Sequence, residues 1–111
     1  MDRPKPTTIT ELIEQAGACF GENIALIESR QDSDTPFVLS YHQLFSASWQ
    51  ACRAFMAAGV AKGDRVAIWA PNINEWVIAT LGLQLAGGVL VPINTRLKGA
   101  EAAYILNASK A

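Results

Sequence analysis

Residues 65–94 read RVAIWAPNINEWVIATLGLQLAGGVLVPIN: two apolar runs separated by a stretch of helical length that opens at a polar corner. An uninterrupted apolar run such as RVAIWA is the pattern of a strand covered on both faces, because a sheet with helices on both sides leaves no solvent-facing positions to alternate with. Strand, helix and strand joined by short links imply a parallel pair with a right-handed crossover. This segment therefore makes the chain α/β. At its corner, Asn72 lies three residues before Glu75, the spacing of a capping box: the Asn72 side chain accepts from a free N–H of the first turn, and Glu75 reaches back to the cap. Cap residues at a helix start are common and catalytic corners rare, so we read Asn72 and Glu75 as structural.

The preceding half follows the same kind of reading. Thr8 and Glu11 form another capping-box pattern, Ile9, Leu12, Ile13, Ala16, Cys19 and Phe20 recur at helical spacing, and Gly21 supplies a left-handed stop, predicting a helix over 9–20. NIALIES (23–29) and FVLS (37–40) are β-prone runs flanking the polar, proline-containing RQDSDTP, so 24–40 is read as a hairpin. Ser40 and Gln43 open the longest helix, 41–58, whose stripe runs through Leu44, Phe45, Ser48, Cys52, Phe55 and Met56 to Gly59, its stop. A last helix is expected over 99–108. Residues 1–7, with Pro4 and Pro6, read as a flexible lead-in to a single unit spanning 8–111.

Composition narrows the function classes. The 111 residues carry nine basic and ten acidic side chains without blocks, and only 17% are charged against about 25% in an average soluble domain. No nucleic-acid footprint follows from that balance. No apolar stretch reaches the length of a membrane span and the N-terminus has no signal-peptide core, which makes a cytoplasmic location the expectation. Cys19 and Cys52 have neither C-x-x-C nor His-spaced neighbours, and are expected to be two buried, reduced thiols with no metal between them.

Three places could carry chemistry. The turn between the first parallel strand and its helix is Pro-Asn-Ile-Asn, without the glycines that let a backbone approach a pyrophosphate, so a dinucleotide fold of the usual kind is disfavoured. His42, the single histidine, has Ser46 four residues on but no third orienting group, and is read as a surface residue. The loop NTRLKG (94–99) leaves the C-terminal end of the second parallel strand, the edge at which open α/β sheets hold ligands. There Arg96 and Lys98 would present two cations near a helix start, a fit for a phosphate group; a solvated basic loop is the commoner explanation of such a pair.

Taken in order, S-Y-x-x-L, G-V-x-x-G-D-R-V-A-I, P-N-x-x-E-W and A-G-x-V-x-V-P-x-N-x-R resemble the N-terminal part of the adenylate-forming enzymes, and within them the bacterial fatty-acid-type acyl-CoA synthetases. The resemblance covers roughly residues 8–111. It implies the N-terminal part of a large α/β domain with a mixed or parallel sheet and crossover helices, and a two-step ligase. A carboxylate is activated by ATP and Mg2+ to an acyl-adenylate, and the acyl group then passes to the thiol of coenzyme A. The phosphate loop with its lysine, the Tyr-Gly-x-Thr-Glu segment, the ribose-binding aspartate and the lysine of the mobile domain lie, in such enzymes, beyond the part matched. No catalytic residue transfers to this chain, which is expected to be inactive alone and to bind these cofactors poorly. Arg96 matches the arginine of the family's N-x-R loop, on the side from which coenzyme A approaches, and Lys98 stands beside it as a second candidate phosphate contact. Lys98-Gly99 replaces the usual Thr-Pro at the next helix start, which weakens its cap.

Relatives continue from NASKA into a further strand, so an incomplete domain that exposes the stripe of Leu97, Tyr104, Ile105 and Leu106 and self-associates is expected. A stand-alone interaction or regulatory module derived from such an enzyme is the alternative. An unrelated nucleotide-binding α/β domain is a third, weakened by the glycine-free turn.

Overall fold

A computed structural model describes residues 5–29 and 34–111; the start of the lead-in and part of the hairpin connection lie outside the described residues. Along the chain run α1 (Ile9–Phe20), β1 (Ile24–Glu28), β2 (Phe37–Ser40), α2 (Tyr41–Ala57), β3 (Arg65–Trp69), α3 (Asn74–Leu85), β4 (Val89–Ile93) and α4 (Gly99–Ser109). β1 and β2 pair antiparallel, with a register shift between Ile24 and Leu26; β3 and β4 pair parallel, from Arg65 opposite Val89 to Trp69 opposite Ile93. Both expected pairings are present, in two separate two-stranded sheets. The chain is α/β.

Local chemistry accounts for most boundaries. The Gln43 N–H donates to Ser40 Oγ (3.1 Å) and the Ser40 N–H donates to Gln43 Oε1 (2.9 Å), so two otherwise unpaired donors at the start of α2 are met reciprocally. Gly59, at φ 101°, takes the left-handed conformation just past the end of α2. At α1 the box is only half closed. The Glu11 N–H donates to Thr8 Oγ1 (3.0 Å), but the Glu11 carboxylate turns to the Thr7 N–H (2.8 Å) and hydroxyl (3.0 Å) instead of the cap backbone. Gly21 corrects another expectation: at φ −47°, ψ −41° it is right-handed. Its small size matters because a Cβ there would lie 2.8 Å from the Gly17 carbonyl oxygen.

The core forms where α2 crosses α3, with α1 against both helices. Gly82 permits that crossing: a Cβ at this position would sit 2.5 Å from Ala51 Cβ and 2.9 Å from both Cys52 N and Ser48 O. Ser48, Cys52 and Leu83 are fully buried around it, and the Ser48 hydroxyl satisfies itself by donating to the Leu44 carbonyl at 2.7 Å. Met56, expected on the same stripe, is 59% exposed. Cys19 is exposed as well, contrary to expectation, because α1 buries only Ile13 and turns this end outward. β3 is half-buried instead of enclosed, and Trp69 remains 49% exposed. The physical reason is coverage: α3 packs on both strands, whereas α4 packs chiefly along β4.

Candidate functional site

The C-terminal ends of β3 and β4 lie side by side, because parallel strands in register end on the same edge. Two connections leave this edge, 70–73 toward α3 and 94–98 toward α4. Between them is a cavity of about 550 Å³ whose wall includes Pro71, Asn72 and Trp76 on one side and Asn94, Thr95 and Arg96 on the other. The Trp69 indole N–H donates to the Asn94 carbonyl at 3.2 Å, tying the two strand ends together. Asn94 Oδ1 accepts from the Arg96 N–H at 2.9 Å, an Asx-type turn that sets the backbone of the loop. The loop that carries the cation is therefore fixed at its start, through Asn94.

Arg96 and Lys98 are both exposed, and neither has a carboxylate partner among the described residues. Only Arg96 lines the cavity; Lys98 is the N-cap of α4, without a side-chain cap bond, as expected from the missing Thr-Pro. One cation and polar amide groups around an open cleft form an anion-compatible surface. His42 is exposed and stands away from this edge, with its backbone N–H donating to the Gly21 carbonyl (3.0 Å). Among the described residues no group of three His, Cys, Asp or Glu side chains could hold a metal ion.

The corner itself differs from the expected capping box. The cap position belongs to Ile73, which offers no side-chain acceptor, and Asn72 and Glu75 are exposed. Instead Glu28, at the end of β1, accepts from the Asn74 N–H (3.0 Å) through Oε1 and from Asn74 Nδ2 (2.8 Å) through Oε2. Asn74 is only 5% exposed and Glu28 is half-buried, so this pair is a partly buried anchor. Its carboxylate takes over the work of an N-cap from 46 residues away. Sequence spacing could not show it, since cap patterns are local and this one joins two elements. The only available signal was a polar Asn74 just inside an otherwise apolar helix.

The same corner borders a second cavity, of about 570 Å³, lined by Leu26, Ile27, Glu28, Asn72, Ile73 and Trp76 among others. Asn72 and Trp76 thus stand in the wall of both cavities.

The sequence pattern of the family described as AMP-binding enzyme matches residues 13–111, nearly the whole chain. The chain belongs to the AMP-binding enzyme family. A 3-[(3aS,4S,7aS)-7a-methyl-1,5-dioxo-octahydro-1H-inden-4-yl]propanoyl:CoA ligase of Rhodococcus jostii (strain RHA1) is 38% identical over 106 residues, covering 96% of this chain and 19% of the relative. A crotonobetaine/carnitine--CoA ligase of Salmonella paratyphi B is 33% identical over 111 residues, covering 99% of this chain and 21% of the relative. The crystal structure of the N-terminal domain of FACL13 from Mycobacterium tuberculosis superposes with a TM-score of 0.84 at 31% identity, over 96% of this chain and 26% of that one. The chain spans about a fifth of the length of the curated relatives it matches. The expected family and its N-terminal α/β fold are both found.

Proposed function

We propose that this chain is the N-terminal portion of an ATP-dependent carboxylate–CoA ligase, with residues 8–111 forming part of its AMP-binding domain. The observation that carries this reading is the family match over residues 13–111 together with relatives that are themselves CoA ligases. The chain contributes a scaffold and one rim of a ligand cleft. In enzymes of this kind the phosphate loop and its lysine lie beyond the part matched, and we place the chemistry of both steps on those residues. Arg96 does fit coenzyme A: it is an exposed, unpaired guanidinium on a fixed loop, able to meet a phosphate with two parallel N–H donors. Lys98, beyond the cavity wall, adds a second positive charge along the approach. No helix among the described residues is long and apolar enough to cross a membrane, and we place the enzyme in the cytoplasm.

ATP–pyrophosphate exchange with a panel of carboxylic acids tests the reading. The complete protein is expected to exchange label with at least one acid, and residues 1–111 alone with none; a complete protein inert toward every acid would remove the ligase assignment. For the cleft, Arg96→Ala is expected to raise KM for coenzyme A roughly ten- to hundredfold, the loss of one charge-assisted contact of about 1.5–3 kcal/mol. An unchanged KM would mean that Arg96 is an ordinary solvated side chain.

A further inference from the structure

We infer that Glu28 and Asn74 are positioning residues for the ligand cleft: their paired hydrogen bonds set where the corner Pro71–Trp76 stands opposite Arg96. This rests on the reading of the cleft as the coenzyme A side of the enzyme.

Packing against α1, α2 and the parallel strands holds the body of α3, while the corner itself has few polar ties. Ile73 gives α3 no side-chain cap, and Asn72 and Glu75 are exposed; the Glu28 carboxylate ties the first turn of the helix to β1 by hydrogen bonds. Both oxygens of that carboxylate are used, one on the backbone and one on the side chain of Asn74. Two bonds from one planar group fix direction as well as distance. Asn74 is buried, and Asn72 and Trp76, two residues to either side of it, reach the cavity shared with Arg96. Opposite, the Trp69–Asn94 and Asn94–Arg96 bonds fix the other wall to the end of the parallel pair. The parallel pair sets where both walls leave the sheet, and the antiparallel hairpin, through Glu28, adds a second tie that orients the Pro71–Trp76 wall. A displacement of about 1 Å in a positioning wall is enough to weaken binding of a ligand that touches both.

The test is steady-state kinetics of the complete enzyme with Glu28→Ala, Asn74→Ala, Arg96→Ala and the double exchange Glu28→Gln/Asn74→Asp. In the exchange, the introduced amide oxygen still accepts from the backbone N–H at position 74, and the introduced amide N–H donates to the new carboxylate. Both bonds are kept with the charge moved to the other partner. Glu28→Ala is expected to raise KM for coenzyme A roughly tenfold with a smaller change in kcat, Asn74→Ala by less, and the double exchange to return KM to within about threefold of the parent. If Glu28→Ala does not fold, Asn74→Ala and the double exchange are read in its place. A merely structural pair would lower the melting temperature and the yield of active enzyme while leaving KM of the folded fraction alone, and that result overturns the inference. A rise in KM that the double exchange does not reverse also overturns it. A raised KM in Arg96→Ala with parental values in Glu28→Ala and Asn74→Ala removes the positioning role and leaves the cleft reading standing. The opposite pattern keeps the positioning role and removes Arg96 from the cleft.

Discussion

Glu28 and Asn74 show how a single residue pair can replace a local signal. An acceptor for the N–H groups of a helix start is worth about 0.5–2 kcal/mol, and it matters little to the helix whether that acceptor precedes it by two residues or comes from another strand. Glu28→Ala is therefore expected to destabilise the folded chain by about 1–3 kcal/mol, since it leaves the buried amide of Asn74 without its acceptor. Asn72→Ala, at the position that the spacing favoured, should change stability by less than about 0.5 kcal/mol, as exposed substitutions usually do. Urea denaturation followed by far-ultraviolet circular dichroism checks both, and equal losses would contradict the structure. Glu11 gives a pH dependence of its own. Hydrogen bonds from the Thr7 backbone and then the Thr7 hydroxyl hold its carboxyl below the usual range, against a small opposing effect of desolvation. A carboxyl with a lowered folded-state pKa stabilises above its unfolded value and loses that contribution as pH falls through the folded one. Protection of the first-turn amides of α1, measured as exchange relative to the intrinsic rate at each pH, is accordingly expected to fall under acid, and less so in Thr7→Ala, which lacks the hydroxyl donor.

Among the elements, α2 was legible at both ends because its signals are contained within it: the Ser40–Gln43 box spans one turn, and Gly59 stands where a left-handed residue is needed. The crossing of α2 over α3 was less so. A glycine inside an apolar helix, as Gly82 is, leaves room for a close neighbour, yet which helix approaches it follows from tertiary structure alone. A Cβ there would meet the backbone of α2 at 2.9 Å, and backbone cannot rotate away as a side chain can. Gly82→Ala is expected to destabilise by about 1–3 kcal/mol through overpacking. Gly59→Ala, which meets no atom within 4 Å, should be destabilising only through its positive φ, by about 1–2 kcal/mol. Pairing each with Ala51→Gly separates the mechanisms: removing the Cβ opposite position 82 should relieve part of the first loss and none of the second.

For the molecule as a whole, surface is in excess. A monomeric protein of 11.9 kDa exposes about 5,900 Å², and this chain exposes 7684 Å². Ile27 and Tyr104 are 65% and 74% exposed, and Trp69 and Val89 lie open on the parallel pair. Residues 1–111 in isolation are expected to associate in a concentration-dependent way, which sedimentation velocity would reveal as a weight-average mass rising with loading; a constant monomer mass would contradict it. Much of this molecule was nonetheless readable from the chain. Periodicity, capping patterns and the order of apolar runs determined the elements, the parallel crossover and the loop carrying Arg96, and the resemblance of its motifs implied the family, because each depends on residues close together in sequence. What tertiary structure decided is what depends on distant residues meeting: the Glu28 anchor under Asn74, the exposure of Cys19 and β3, and the cleft that sets Arg96 opposite Asn72 and Trp76. A helix start needs an acceptor, and the sequence states that need locally. Which residue satisfies it is decided by whatever the fold brings within hydrogen-bonding distance.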